Sequence, residues 1–186
     1  MPDGTVRYVV SVLARDHVGI IAGVSEALYC LGGNIEALSQ TVVGRWFTMI
    51  VRAEFPADMT DQAVKDAVER PGGLQAIVGA VDAVEATAHV EGDPYVVTVT
   101  GDDRPGIVYR FARCFAERGV NIEDVWNEVQ DGRFVEIFSV TVPPDVDPKT
   151  LRYDLEQIAG ELSMTVRLQH RDIFTATTSL SVHTRR

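Results

Sequence analysis

The sequence predicts an α+β chain made of two tandem βαββαβ units. Three observations predict it. The first is an internal repeat at a constant offset of 87 positions. RDHVGII (15–21) returns as DDRPGIV (102–108), matching Asp16 to Asp103, Gly19 to Gly106 and Ile20 to Ile107. Gly32-Gly33-Asn34-Ile35-Glu36 returns as Gly119-Val120-Asn121-Ile122-Glu123, and Phe47, Ile50 and Pro56 return as Phe134, Ile137 and Pro143. A gapless repeat over about forty residues, with a period too long for a solenoid, marks two small domains. The second observation is period-two alternation in paired runs around turn residues, and the third is a 3.6-residue apolar period between those runs.

The elements follow in order. Residues 5–14 (TVRYVVSVLA) are β-branched and apolar, and read as a strand. Ile20, Ile21, Val24, Ala27, Leu28 and Leu31 recur at helical spacing, so 18–31 reads as an amphipathic helix ended by Gly32-Gly33. Runs 34–43 and 46–55 alternate around Val43-Gly44-Arg45 and read as a hairpin. A helix over 60–70 is interrupted by Pro71-Gly72-Gly73; Leu74–Val81 reads as its resumption, and 83–90 as the closing strand. The second unit repeats the order: strand 94–101, helix 105–118, strands 121–130 and 133–142 around Asp131-Gly132, helix 148–162 and strand 164–173. The boundaries implied are 1–91, 92–174 and a C-terminal tail 175–186, with Glu91-Gly92-Asp93-Pro94 as a short linker.

Such an order makes a four-stranded antiparallel sheet with two helices on one face, the ferredoxin-like or split βαβ arrangement, with right-handed crossovers. The second strand of each unit lies on a sheet edge, and an exposed long edge invites pairing. The expectation is that the two sheets pair edge to edge into eight strands.

Composition narrows the function. The chain has 186 residues and 46% hydrophobic content, ordinary for a globular protein whose halves each bury a modest core. The formal net charge of −10 opposes direct binding to a polyanion. No apolar run reaches the roughly 20 residues that span a bilayer, and the start MPDGTVRYVV lacks a signal-peptide pattern, so a cytoplasmic protein without a membrane role is expected. Cys30 and Cys114 occupy non-equivalent repeat positions and read as buried structural thiols. The four histidines show no metal-ligand spacing, and no GxSxG, Walker or GxGxxG motif is present. No catalytic residue, metal or cofactor is assigned. Trp46 and Trp126 read as core or interface residues, and the equivalent Glu36 and Glu123 as a shared strand position, not an acid/base pair.

Asp-Arg-Pro-Gly-Ile-Val (103–108), the helix after it and Gly-Val-Asn-Ile-Glu (119–123) resemble the ACT domain family, as do Asp16–Ile21 with Gly-Gly-Asn-Ile-Glu (32–36). The resemblance spans about residues 5–173. Two such units with little else resemble the glycine-cleavage-system transcriptional repressor group, and NIEALSQTVVGRWFTMIV (34–51) also resembles small single-ACT proteins. The resemblance implies a small effector, most often an amino acid, held between paired units. It implies a pocket made by the strand-to-helix loop of one unit and the start of the second strand of its partner.

The residues of that loop suit the task. Gly19 and Gly106 let backbone approach a ligand closely, or serve only the turn. Pro105 pre-sets φ for a first helical turn, and free N–H groups at the helix start, beside Ile20 and Ile107, can receive a carboxylate. Asn34 and Asn121, each followed by isoleucine (Ile35, Ile122), carry donor and acceptor for a zwitterion, or satisfy loop backbone. Asp16 and Asp103 pair with an α-ammonium, or serve as a helix cap or a local Asx turn. Arg104 reaches a ligand carboxylate or is a solvated loop residue; its counterpart is His17. Val18 stands where the second unit has Pro105, so the first loop departs from the family pattern.

The function expected is therefore a non-enzymatic regulator that senses an amino acid between paired ACT units and signals to a regulator protein, without touching nucleic acid itself, and as a homodimer. The alternative is a protein–protein interaction module with no small ligand.

Overall fold

The computed structural model describes residues 4–81, 91–130 and 133–183. The chain divides into two compact units, Met1–Thr87 and Ala88–Arg186. In the first, β1 (Thr5–Arg15), α1 (Ile20–Cys30), β2 (Asn34–Val43), β3 (Trp46–Pro56), α2 (Asp61–Glu69) and β4 (Leu74–Ala80) follow one another. In the second, β5 (Asp93–Gly101), α3 (Ile107–Glu117), β6 (Asn121–Gln130), β7 (Arg133–Val142), α4 (Pro148–Glu161) and β8 (Thr165–His170) repeat them, and α5 (Arg171–His183) is added. Each unit is thus βαββαβ, an α+β unit with the ferredoxin-like order. The strands form two antiparallel four-stranded sheets, β2-β3-β1-β4 and β6-β7-β5-β8. Every ladder among the described residues joins strands of one unit, which corrects the expectation of a single eight-stranded sheet; β2 and β6 keep edge positions.

Alternation decides the faces. In β1, Tyr8, Val10, Val12 and Ala14 point to the helices and are buried; β3 does the same with Phe47, Met49, Val51, Ala53 and Phe55. α1 lays Ile20, Val24 and Leu28 on them, and α2 adds Val64, Ala67 and Val68. The second core is built alike from Val97, Val99, Phe138, Val140 and Val142 under Ile107, Phe111, Phe115, Leu151 and Leu155. α1 and α3 stop in the same way. Gly32 (φ 73°) and Gly119 (φ 67°) take the left-handed conformation, and the next N–H reaches back to Leu28 O (2.9 Å) or Phe115 O (3.0 Å). The β2–β3 turn has Gly44 at φ 62° in the first of two loop positions, as a type II′ hairpin requires. The turn read at Asp131-Gly132 lies outside the described residues.

Three sequence readings change. Leu74–Ala80 is not a resumed helix but β4, paired with β1 from Ala14↔Leu74 to Tyr8↔Ala80. Gly72 and Gly73, at φ 81° and 79°, turn the chain back, and seven residues with Ala76 and Val78 facing inward fill the open edge of β1. The strand read at 83–90 falls outside the described residues, apart from which the first unit is the shorter at its second helix, nine residues against fourteen. The strand read over 164–173 stops at His170, and Arg171–His183, read as its end and a tail, is α5, whose Phe174 packs on Val96, Val135 and Ile137 of the sheet face away from α3 and α4. Of the cysteines, Cys114 is buried, with burial pushing its thiol pKa up, but Cys30 is exposed. Trp46 and Trp126 are also partly open, and the Arg15 guanidinium stacks 4.3 Å over Trp46.

Candidate functional site

The strand-to-helix loops are the same device built twice. Gly19 (φ 101°) and Gly106 (φ 91°) occupy the N-cap positions of α1 and α3 in the left-handed region, where a Cβ is disfavoured. Neither helix has a side-chain cap. The first bond back to the turn is Gly23 N–H to Gly19 O (2.9 Å) in one unit and Arg110 N–H to Gly106 O (3.0 Å) in the other. The N–H groups of Ile20, Ile21 and Ala22, and of Ile107, Val108 and Tyr109, therefore have no acceptor among the described residues. Orphan amides at a helix start carry the positive end of the dipole and suit an anion. Asp16 and Asp103 do not cap these helices, so that reading of the two aspartates fails. Pro105 is also displaced: the helix starts at Ile107, and Pro105 lies in the turn before the cap, as does the fully exposed Val18.

In the first unit the loop borders real space. A hollow of about 350 Å3 opens between the start of α1 and strand β2, bordered by Asp16, His17, Gly19, Ile20, Gln40 and Phe47. On the other side of Asp16 a hollow of about 490 Å3 is bordered by Arg15, Gly44 and Arg45. Asp16 N–H donates to Arg45 O at 3.0 Å, which ties the loop to the hairpin turn. His17 Nδ1 donates to Val18 O at 3.1 Å. In the second unit Arg104 Nη2 stands 3.7 Å from Asp102, both exposed. Ile20 and Ile107, 4% and 3% exposed, anchor the helix starts in the cores.

Asn34 and Asn121 stand elsewhere. Each opens its strand, and the register places Asn34 opposite Glu54 while Val43 meets Trp46 beside the loop. Nine strand steps of about 3.3 Å put roughly 30 Å between Asn34 and the loop end of β2. Within one unit the asparagines and the loops do not converge, and Ile35 and Ile122 pack against their own cores.

The neighbouring glutamates occupy equivalent β-bulges, where the register slips between Ile35 and Ala37 and between Ile122 and Asp124. Glu36 accepts from Arg7 Nε and Arg52 Nε, both at 3.0 Å, and the Arg7 hydrogen bond holds its carboxyl below the usual range. Glu123 instead accepts from the Thr141 hydroxyl and lies 3.5 Å from Arg171 of α5.

Sequence reasoning missed Gln40 and Phe47 as walls of the first hollow, and it missed Glu136. β7 carries Glu136 on the helix-facing side, between Phe134 and Phe138, 2% exposed. Its Oε2 is sealed from solvent and has no hydrogen-bond partner among the described residues. The signal was legible: an acid at an inward position of an alternating strand, at the place where the repeat puts Met49. Among the described residues no three His, Cys, Asp or Glu side chains gather as a metal set, and no helix is long and apolar enough to cross a membrane.

Comparison with known proteins accords with this architecture. An ACT domain model matches residues 93–169. A UPF0237 protein of Methanocaldococcus jannaschii is 40% identical over 80 residues, which cover 42% of this chain and 89% of the relative. A UPF0237 protein of Methanopyrus kandleri is 39% identical over 82 residues, covering 44% and 91%. Among solved structures, an unknown protein from Galdieria sulphuraria superposes with a TM-score of 0.74 at 25% identity, covering 90% of this chain and 99% of that one. A putative glycine cleavage system transcriptional repressor superposes at 0.63 with 18% identity, covering 89% and 96%, and so shares the fold. Two successive βαββαβ units with uncapped, glycine-opened helices, the second matched by the ACT domain model, make this an ACT-domain protein. The chain belongs to the UPF0237 family.

Proposed function

We propose that the chain is a non-enzymatic sensor of a small amino acid, bound at the glycine-opened loops and read out by a partner regulator protein. One observation carries the reading: two helix starts, 87 positions apart, that leave three amides each without an acceptor behind a left-handed glycine. A ligand carboxylate is the group that such amides select. Asp16 or Asp103 would meet the ammonium. Asn34 and Asn121, remote within their own units, would join a loop only across a pairing of units, and a homodimer supplies such a pairing. Ligand binding would then bias the pairing by its differential affinity for the two arrangements. The acidic chain would act on transcription or metabolism through another protein in the cytoplasm, in the manner suggested by its fold likeness to a glycine cleavage repressor.

The test is a thermal-shift and calorimetric panel of amino acids, glycine and serine included, at millimolar concentration. The reading expects a rise in melting temperature with at least one of them; a flat panel rejects it. A second reading, a docking module without a ligand, is favoured by the open apolar face of the first sheet, where Leu13, Ile50 and Ile77 are 42%, 54% and 76% exposed. Replacing Gly19 and Gly106 together by valine separates the two. Sensing predicts loss of the ligand response with partner binding kept, and docking predicts no change.

A further inference from the structure

Glu136 is the one described side chain whose buried polar atom has no partner. A carboxylate removed from water without hydrogen bonds is costly, and proteins keep such a group only where something offsets the cost. The equivalent position in the first unit shows the inexpensive solution, Met49, 1% exposed in the core. The second unit departs from it beside the loop of interest. β7 sets Glu136 opposite Val99 of β5, two residues before Gly101 and the turn into α3. On the other side it stands opposite Asn127 of the edge strand β6. By the repeat, Asn127 corresponds to Gln40 and Phe134 to Phe47, two walls of the hollow beside α1. Glu136 is the next inward residue of β7 after Phe134, so it stands at the inner end of the matching place beside α3.

Two charges meet there with no cation to balance them. Burial pushes the Glu136 carboxyl above its usual range, and Asp103 on the loop pushes it the same way to a lesser degree. The nearest arginine of the loop, Arg104, is turned to Asp102. The place thus offers orphan amides on one side and a desolvated carboxylate with a second acid on the other. A zwitterion with its carboxylate on the amides brings the missing positive charge as an ammonium.

We propose that Glu136 is the ammonium-recognising residue of the second unit, with Asp103 as its partner, so that this unit selects amino acids over acids that lack the amine. The first unit, with Met49, has no such selectivity. This inference rests on the sensing function proposed above and names its specificity determinant. Binding transfers a proton: Glu136 enters the complex ionised, so a protonated Glu136 gives its proton to solvent as the ammonium arrives.

The test uses the full chain and three probe pairs: glycine with acetate, L-serine with 3-hydroxypropionate, and L-alanine with propionate. Calorimetry reads the preference for the amine-bearing member in wild type, Glu136→Met and Glu136→Gln. Glu136→Met copies the first unit's core and is expected to fold with an unchanged or higher melting temperature. The expected result is a loss of the preference by about tenfold or more in Glu136→Met, as removal of a charged hydrogen bond gives, with a smaller loss in Glu136→Gln. Wild type should also release protons on binding at pH values just above the ordinary carboxyl range, where the raised Glu136 carboxyl keeps part of its proton, seen as a dependence of the heat on buffer ionisation, and Glu136→Met should not. If wild type prefers the amino acids and Glu136→Met keeps that preference, Glu136 is a core acid and the inference is overturned while sensing stands. If wild type responds to none of the six probes, sensing itself falls, and this inference with it.

Discussion

The two units share a backbone plan and fill it differently. At the turn that ends the first helix, unit one has Gly33, whose added Cβ would lie 2.5 Å from the Phe55 ring and 2.8 Å from Leu28 O. Unit two has Val120 there, and the residue equivalent to Phe55 is Val142, both buried in one cluster. A glycine beside a phenylalanine has become a valine beside a valine. Farther along, Val24, Leu28 and Val51 of the first core correspond to Phe111, Phe115 and Phe138, whose rings stand 5.5–6.0 Å apart. The first unit recovers part of that aromatic volume with Phe55, whose ring stands 5.9 Å from Tyr8, a residue that the second unit matches with Tyr95. The difference teaches that pattern specifies the fold while close packing is solved separately in each core.

The outer faces differ as well. In the second unit α5 covers Val96, Val135 and Ile137, at 3%, 4% and 7% exposure, and Arg171 ties the helix to the bulged Glu123. In the first unit nothing among the described residues of that unit covers Ile50, and the bulged Glu36 is held by strand arginines instead.

Each unit holds one tryptophan, Trp46 or Trp126, so denaturation of Trp46→Phe and Trp126→Phe backgrounds reports the units separately. The largest contrast is at the paired core positions. Phe138→Ala should cost the second unit about 4 kcal/mol, and Val51→Ala should cost the first about 2 kcal/mol. Equal losses would break the comparison. Next, Gly33→Val should cost about 3 kcal/mol through overpacking against Phe55, and Phe55→Val should rescue it, with a coupling above about 1 kcal/mol in a double-mutant cycle. Additive losses would show that the valine pair is not a matched alternative.

Phe174→Ala should cost about 1 kcal/mol, for a partly buried ring, and raise dye binding to the newly open face. Ser163, the only described non-glycine residue at positive φ (55°), ends α4 where Gly32 and Gly119 end α1 and α3. Ser163→Gly should therefore stabilise the second unit by about 1 kcal/mol. The smallest effect is the pH dependence. Burial first, and Asp103 second, raise the Glu136 carboxyl of the folded state above its ordinary value of 4.5, so folding favours the protonated form. That contribution is fully present below about 4.5 and is lost as pH climbs through the folded value. Thermal melts of wild type and Glu136→Met should diverge upward from pH 4.5, with wild type falling behind; parallel curves would remove Glu136 from the account.

The alternation and the glycine stops are local patterns, complete within ten or so residues, and the repeat carries them from one unit to the next; together they give the order and type of every described element but two, β4 and α5. They placed the turns at Gly19 and Gly106 because a left-handed residue before a helix leaves its mark as glycine. They also placed acids beside those turns, but not their purpose: whether an aspartate caps depends on the loop's path, which is not local.

β4 was misread because a mostly apolar run after two glycines, LQAIVGA, suits a helix or a strand equally; only the vacant edge of β1 decides. The same holds for α5, whose weak amphipathic pattern gains its meaning from the apolar sheet face beneath it. Separation of Asn34 from the loops and burial of Glu136 without a partner are likewise products of assembly. Periodicity can assign a residue to a face, since the backbone alone sets that; what stands opposite the face is set by long-range burial, where several distant segments compete to exclude water.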